Sequence, residues 1–151
     1  MDIKEKSVTF ENGGTFTGKN QLFSNPMEVT STIGQYKSGK IIDVTIIADG
    51  PRRFFDLDLL FFPNKPVLTM NPTGQFSMPF SEMKQCSGRI QVMSTDFGDI
   101  GGCSIANLFN LNMTFLSKEL YMIAVYQGER TMTIHPNSVS LTIGYELGTC
   151  G

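Results

Sequence analysis

Two carboxylates, Asp56 and Asp58, stand two residues apart in the run Phe54-Phe55-Asp56-Leu57-Asp58-Leu59-Leu60-Phe61-Phe62. An extended chain puts alternate residues on one face about 7 Å apart, so a strand here would align the two acids. Such a pair among apolar neighbours can share a proton or a cation, the chemistry of an acid/base pair or a calcium site. Arg52 and Arg53 precede it and offer the alternative, charge neutralisation across a turn. A second acidic segment, Asp96-Phe97-Gly98-Asp99-Ile100-Gly101-Gly102, has the glycine-rich look of a calcium loop. It lacks the alternating oxygen ligands and closing glutamate of an EF-hand, and its glycines miss the spacing of a dinucleotide-binding turn. The expectation for 96–102 is a long surface loop able to carry a contact, an ion or a ligand.

Other reactive side chains are sparse. The single histidine, His135, lies in Ile134-His135-Pro136-Asn137, which reads as a turn with a solvated imidazole. A nucleophile elbow would need G-x-S-x-G, which does not occur. Cys86, Cys103 and Cys150 form an odd set without C-x-x-C spacing, and with His135 the only histidine the closely paired ligands of a zinc site are missing. Free thiols kept in a reducing cytoplasm are the expectation. A small β enzyme would have to work through Asp56 and Asp58 with no histidine nearby in sequence. The chain is therefore expected to be no enzyme, with no catalytic residue, metal or cofactor.

The elements that would position these groups are strands. Val139-Ser140-Leu141-Thr142-Ile143-Gly144-Tyr145-Glu146-Leu147 is apolar at every odd position and small or polar at every even one. That period of two belongs to a strand with one face on a core. Ile41–Asp49 reads likewise, with Ile42, Val44, Ile46 and Ala48 on the inner face and Asp49-Gly50-Pro51 as the stop. Phe54–Phe62 has one wholly apolar face, and a second that is apolar at its ends and acidic in the middle. Leu120–Gln127 is apolar on both faces, as expected of a strand covered on both sides. Weaker strands are expected at Met27–Ile33, Arg89–Ser94, Leu111–Leu116 and Thr131–Ile134. One short helix fits after Pro79, with Ser81 as N-cap and Cys86-Ser87-Gly88 as its end. Fifteen glycines and seven prolines interrupt the chain too often for long helices. The fold class is all-β, a β-sandwich or jelly roll with one short helix.

A length of 151 residues is enough for one domain with its own core. Residues 39–151 are expected to form that core. Residues 1–38 are expected to add an N-terminal hairpin, turning at Asn12-Gly13, or an arm that docks on a neighbour. The start Met1-Asp2-Ile3-Lys4-Glu5-Lys6 is charged, so no secretory signal is expected. No apolar run, Leu59–Phe62 among them, approaches the roughly 20 residues that span a bilayer.

Charged residues make up only 17% of the chain, below the roughly 25% of an average domain, and the net charge is −2. Without a basic excess, no nucleic-acid partner is expected. Twelve phenylalanines and four tyrosines without a tryptophan speak against the platforms of a lectin. Low charge and two-faced apolar strands together imply a sheet face covered by another subunit. Candidate interface residues are Phe54, Leu60 and Phe62, with Phe10 and Phe16 of the N-terminal segment.

The order of segments carries a resemblance. Gly39-Lys40-Ile41-Ile42-Asp43-Val44 leads to Asp49, then to Asp56-Leu57-Asp58-Leu59-Leu60-Phe61-Phe62, a Ser81-headed helix and Gly88-Arg89-Ile90. Leu120-Tyr121-Met122-Ile123-Ala124-Val125 and Ser140-Leu141-Thr142-Ile143-Gly144-Tyr145 close the series. This layout, over residues 39–147, is similar to small virion proteins of tailed bacteriophages, of the head-decoration or minor-capsid type. The resemblance transfers no functional residue. It implies a non-enzymatic structural protein, assembled in the host cytoplasm and located in the virion, that binds the head shell as a homo-oligomer such as a trimer. The competing reading is a ligand-binding β module for carbohydrate or calcium, part of a tail or fibre, using Asp96 and Asp99.

Overall fold

The computed structural model of the chain describes residues 2–10, 13–18, 27–31, 36–67, 76–117 and 119–149. Its strands are β1 (Asp2–Thr9), β2 (Gly14–Phe16), β3 (Met27–Ser31), β4 (Tyr36–Asp49), β5 (Leu57–Phe62) and β6 (Gly88–Val92). There follow β7 (Phe97–Ile100), β8 (Cys103–Leu108), β9 (Met113–Phe115), β10 (Glu119–Tyr126), β11 (Met132–Ile134) and β12 (Val139–Thr149). One helical turn, α1 (Phe80–Met83), and a 3-10 turn at Ser94–Asp96 complete the described elements.

All the strand pairs are antiparallel. The first sheet runs β1-β12-β4-β8-β7 with β9 also on β4, the second runs β3-β10-β5-β6, and β2 pairs with β11. Set the short β2, β7, β9 and β11 aside and the remaining strands, numbered one to eight, stand 1-8-3-6 and 2-7-4-5. Every connection crosses between sheets except the one from β5 to β6. That is the strand order of a jelly roll.

The core forms where alternating residues of both sheets meet. Val139, Leu141, Ile143, Tyr145 and Leu147 of β12 are all buried, as their spacing requires. On β4 the inner face is Ile41, Val44, Ile46 and Ala48, so Ile41 replaces the expected Ile42. The cause is a bulge: Gly144 lies opposite Asp43 and Tyr145 opposite Ile41, which leaves Ile42 unpaired and shifts the phase. The Ile42 carbonyl instead accepts the Leu111 N–H at 2.9 Å. Leu57, Leu59 and Phe61 of β5 and Leu120, Met122, Ala124 and Tyr126 of β10 complete the core from the second sheet.

The middle of that second sheet's outward face is buried as well. Phe62, Ile123 and Val125 form a second cluster, and Leu60, Phe76, Met78, Met83 and Cys86 pack on it. The cover expected from another subunit is supplied by this chain's own 76–86 segment. Its helical turn is shorter than expected and has Pro79 at the N-cap position, without a side-chain cap, so Ser81 lies in the turn and caps nothing. Of its residues Met83 packs on the sheet, and at four residues it lacks the length of a free-standing helix.

The 96–102 segment is a hairpin arm and not a long loop. Ile100 pairs with Cys103, closing β7 on β8 through Gly101 (φ 62°) and Gly102 (φ 82°). Two positive φ values define the tight turn that suits strand twist, and two glycines adopt it without Cβ strain. At the opposite edge of this sheet, β1 lies on β12. Lys4 and Lys6 share the face of Val8 there, opposite Tyr145 and Ile143, and both are exposed. Charged side chains on the inward side of an edge strand discourage pairing with a further strand.

Candidate functional site

Four connections gather at one end of the sandwich. Residues 50–56 join β4 to β5, 127–138 join β10 to β12 through β11, and the described part of the β1–β3 connection (residues 10 and 13–18) and the β6–β8 connection flank them. Backbone bonds tie them together: Asp49 N–H to the Ser138 carbonyl at 2.8 Å, Gly50 N–H to Gly102 at 3.1 Å, and Gln127 N–H to Asp56 at 2.9 Å. Asn137 N–H donates to Phe10 and Phe10 N–H to Val139, each at 2.9 Å. Placed on a rigid double sheet, such loops are where binding residues are commonly held.

The 50–56 turn presents two consecutive arginines in a defined backbone. Arg52 has φ 57°, a left-handed conformation uncommon for a side chain of this size. It is held because the Arg52 N–H donates to Asp99 Oδ1 at 2.8 Å and the Arg53 N–H to Ser104 Oγ at 2.8 Å. Ser104 is fully buried, and its hydroxyl also reaches the Gly50 carbonyl at 2.9 Å and Asp99 Oδ1 at 3.2 Å. Strained residues that the surroundings over-determine mark places where geometry matters.

The 127–138 segment is anchored by Tyr126, whose hydroxyl donates to the Arg130 carbonyl at 2.6 Å. Burial, and then the negative charge of Asp56, hold this phenol above its ordinary pKa, so it stays a donor. The ring lies directly against Gly128, where a Cβ would collide with the Tyr126 ring and hydroxyl. Beyond β11, the Ser138 hydroxyl caps the His135 carbonyl at 2.7 Å and Asn137 takes φ 59°, leaving His135 exposed.

Between the two segments lies a cleft of about 250 Å³. Arg52, Arg53, Arg130 and His135 line it together with Asp49, and Phe54, Phe55, Tyr126, Met132 and Ile134 give it apolar walls. Phe97 stacks on Phe54 with ring centres 5.9 Å apart and tilts against Phe55 at 4.8 Å, so the aromatic wall is prebuilt. Phe55 and Phe97 are buried, whereas Phe54 keeps 40% of its surface. Three of the chain's four arginines thus stand at one cleft. Among the described residues, the ion pairs are Lys40–Glu146 and Arg89–Asp58, and neither involves them.

The acidic candidates have other partners. Asp58 is buried on the outward face of β5 and is held by Arg89, Nε to Oδ1 at 2.8 Å and Nη2 to Oδ2 at 3.0 Å. Gln127 Nε2 donates to Asp58 Oδ2 at 2.7 Å. The Asp58 hydrogen bond, and then its charge, raise the Arg89 pKa. The neutralising group is therefore Arg89 from the neighbouring strand and not Arg52 or Arg53, because β5–β6 pairing sets Leu60 opposite Arg89, beside Asp58 on the same face. Asp56 precedes the strand, and its Oδ1 accepts the Ser94 N–H at 2.6 Å. Asp96 Oδ2 accepts the Met93 N–H at 2.8 Å within the 3-10 turn, and Asp99 holds the arginine turn. No three His, Cys, Asp or Glu side chains converge among the described residues.

Of the candidate interface residues, Phe10 and Phe16 are 6% and 2% exposed and sit in the main core. Phe62 is 1% exposed beneath the 76–86 segment and Leu60 is half-buried beside it. Only Phe54 offers a large open surface. Cys86 and Cys103 are free thiols, partly buried, and Cys150 lies outside the described residues. The sequence reading missed Arg130 altogether and treated Arg52 and Arg53 as counterions. A signal was present in the arginines adjoining Phe54-Phe55 and preceding Ile134-His135, in two segments that only the fold joins.

No protein-family model and no curated protein matches the chain. Among solved structures it is similar to the empty capsid of Triatoma virus, at 10% identity and a TM-score of 0.29, covering 95% of this chain and 75% of that one. Black queen cell virus matches at 9% identity and a TM-score of 0.28, covering 98% of this chain and 62% of that one. Infectious bursal disease virus, Gx strain, matches at 9% and 0.25, with 97% and 37% covered. At TM-scores below 0.5 these likenesses decide neither family nor function. The jelly-roll assignment stands on strand order.

Proposed function

We propose that the chain is a non-enzymatic structural protein of a virion, an auxiliary subunit that binds a head shell as a homo-oligomer. The observation that supports this reading is a jelly-roll strand order contained in a short chain whose segments at 39–147 resemble tailed-phage head components. Jelly rolls also serve lectins and cupins, so fold alone assigns no role. At the β1 edge the inward lysines oppose strand addition, so contacts on that side would be made by faces and loops. Phe54, exposed at the loop end, is the candidate interface residue left with open surface.

Mass spectrometry of purified particles, with light scattering on the isolated protein, tests the proposal. The expected result is a stoichiometric virion component that is oligomeric in solution. A monomer that is absent from particles and does not co-sediment with shells overturns it. The reading as a ligand-binding module gains no support from Asp96 and Asp99, whose carboxylates hold backbone N–H groups.

A further inference from the structure

We propose that the cleft between residues 50–56 and 127–138 is a binding site for a small phosphate monoester carrying a flat ring, of mononucleotide size. This goes beyond the structural role above and does not depend on it.

Charge is the first argument. In a chain of net charge −2, three of four arginines and the only histidine line one cleft of about 250 Å³. No described carboxylate forms an ion pair with these arginines, while the fourth, Arg89, has a two-bond partner in Asp58. Guanidinium groups match phosphate oxygens with paired, charge-assisted hydrogen bonds. Asp49 also lines the cleft and offsets one of the positive charges, so the balance there remains positive.

Construction is the second. The arginine turn keeps a left-handed residue through bonds to Asp99 and to the buried Ser104, and Arg130 is fixed at its carbonyl by the Tyr126 hydroxyl. Two segments clamped at their backbones need less ordering of the loops on binding. Size and wall are the third. The volume falls just below the roughly 300–1,000 Å³ of sites for drug-sized ligands. Phe54, 40% exposed and backed by its stack on the buried Phe97, supplies an apolar surface for one ring. Convergent cations beside a ready aromatic face suit a phosphate attached to a ring.

The test is calorimetry on the full chain at low salt with AMP, inorganic phosphate, adenosine, citrate and a dT15 oligonucleotide. AMP binding more tightly than phosphate, with adenosine and citrate far weaker, supports the assignment. Arg130→Gln and Arg53→Gln should each weaken AMP roughly tenfold, the scale of a lost charge-assisted bond. Lys84→Gln removes an exposed charge outside the cleft and should leave AMP binding unchanged. Circular dichroism establishes that each variant is folded. Four outcomes overturn the proposal: no AMP binding, citrate as tight as AMP, AMP binding indifferent to both arginines, or dT15 bound far more tightly than AMP.

Discussion

The two sheets of this sandwich treat their outward faces in opposite ways. The face of the β3-β10-β5-β6 sheet carries Phe62, Ile123 and Val125 under the 76–86 segment, with the Asp58–Arg89–Gln127 cluster beside them. The face of the β1-β12-β4-β8-β7 sheet carries the cross-strand pairs Ser7–Thr142 and Asn107–Thr45, with Ile47 exposed among them. One sheet is buried on two sides at its centre and the other on one. The period of two alone did not separate an apolar face covered by the same chain from one covered by a partner. Here an intramolecular cover of one helical turn and its flanks explains why Ile123 and Val125, on the outward face of β10, are apolar.

Substitutions along one line through the sandwich sharpen this contrast. Phe61→Ala, in the shared core, should cost about 3–5 kcal/mol in chemical denaturation. Ile123→Ala, under the cover, should fall near the lower end of the roughly 2–5 kcal/mol for such truncations, because a short segment can settle into the gap. A loss under about 0.5 kcal/mol, the value of an exposed site, would show that 76–86 leaves that face open. Arg89→Ala should cost about 1–3 kcal/mol. It leaves the Asp58 carboxylate, 6% exposed, with Gln127 alone, and the 56% exposure of Arg89 keeps the effect below that of a fully buried pair. Ile47→Thr on the open face should change stability by no more than about 0.5 kcal/mol. A large loss there would instead mark the face as covered.

Much of the architecture was legible because strands write their period into the sequence. The alternation of β12 and of β5 placed their inner residues correctly. Misreadings arose where one residue breaks the period or where pairing is non-local. On β4, the bulge opposite Gly144 moved the core position from Ile42 to Ile41. Gly101-Gly102 reads as a loop until Phe97, Gly98, Asp99 and Ile100 are seen opposite Ala106, Ile105, Ser104 and Cys103. Asp58 gained its cation from 31 residues away, a separation that no local motif encodes.

The all-β class, the two-sided burial of β10 and the shortage of charge followed from residue types and spacing, since backbone pleat and side-chain polarity are local properties. Which segment covers which face, which arginine meets which acid, and the gathering of Arg52, Arg53, Arg130 and His135 at one cleft were decided by the jelly-roll order alone. That order brings residues 50–56 and 127–138 together at one end, and contacts between segments so far apart are set by how sheets pair and pack.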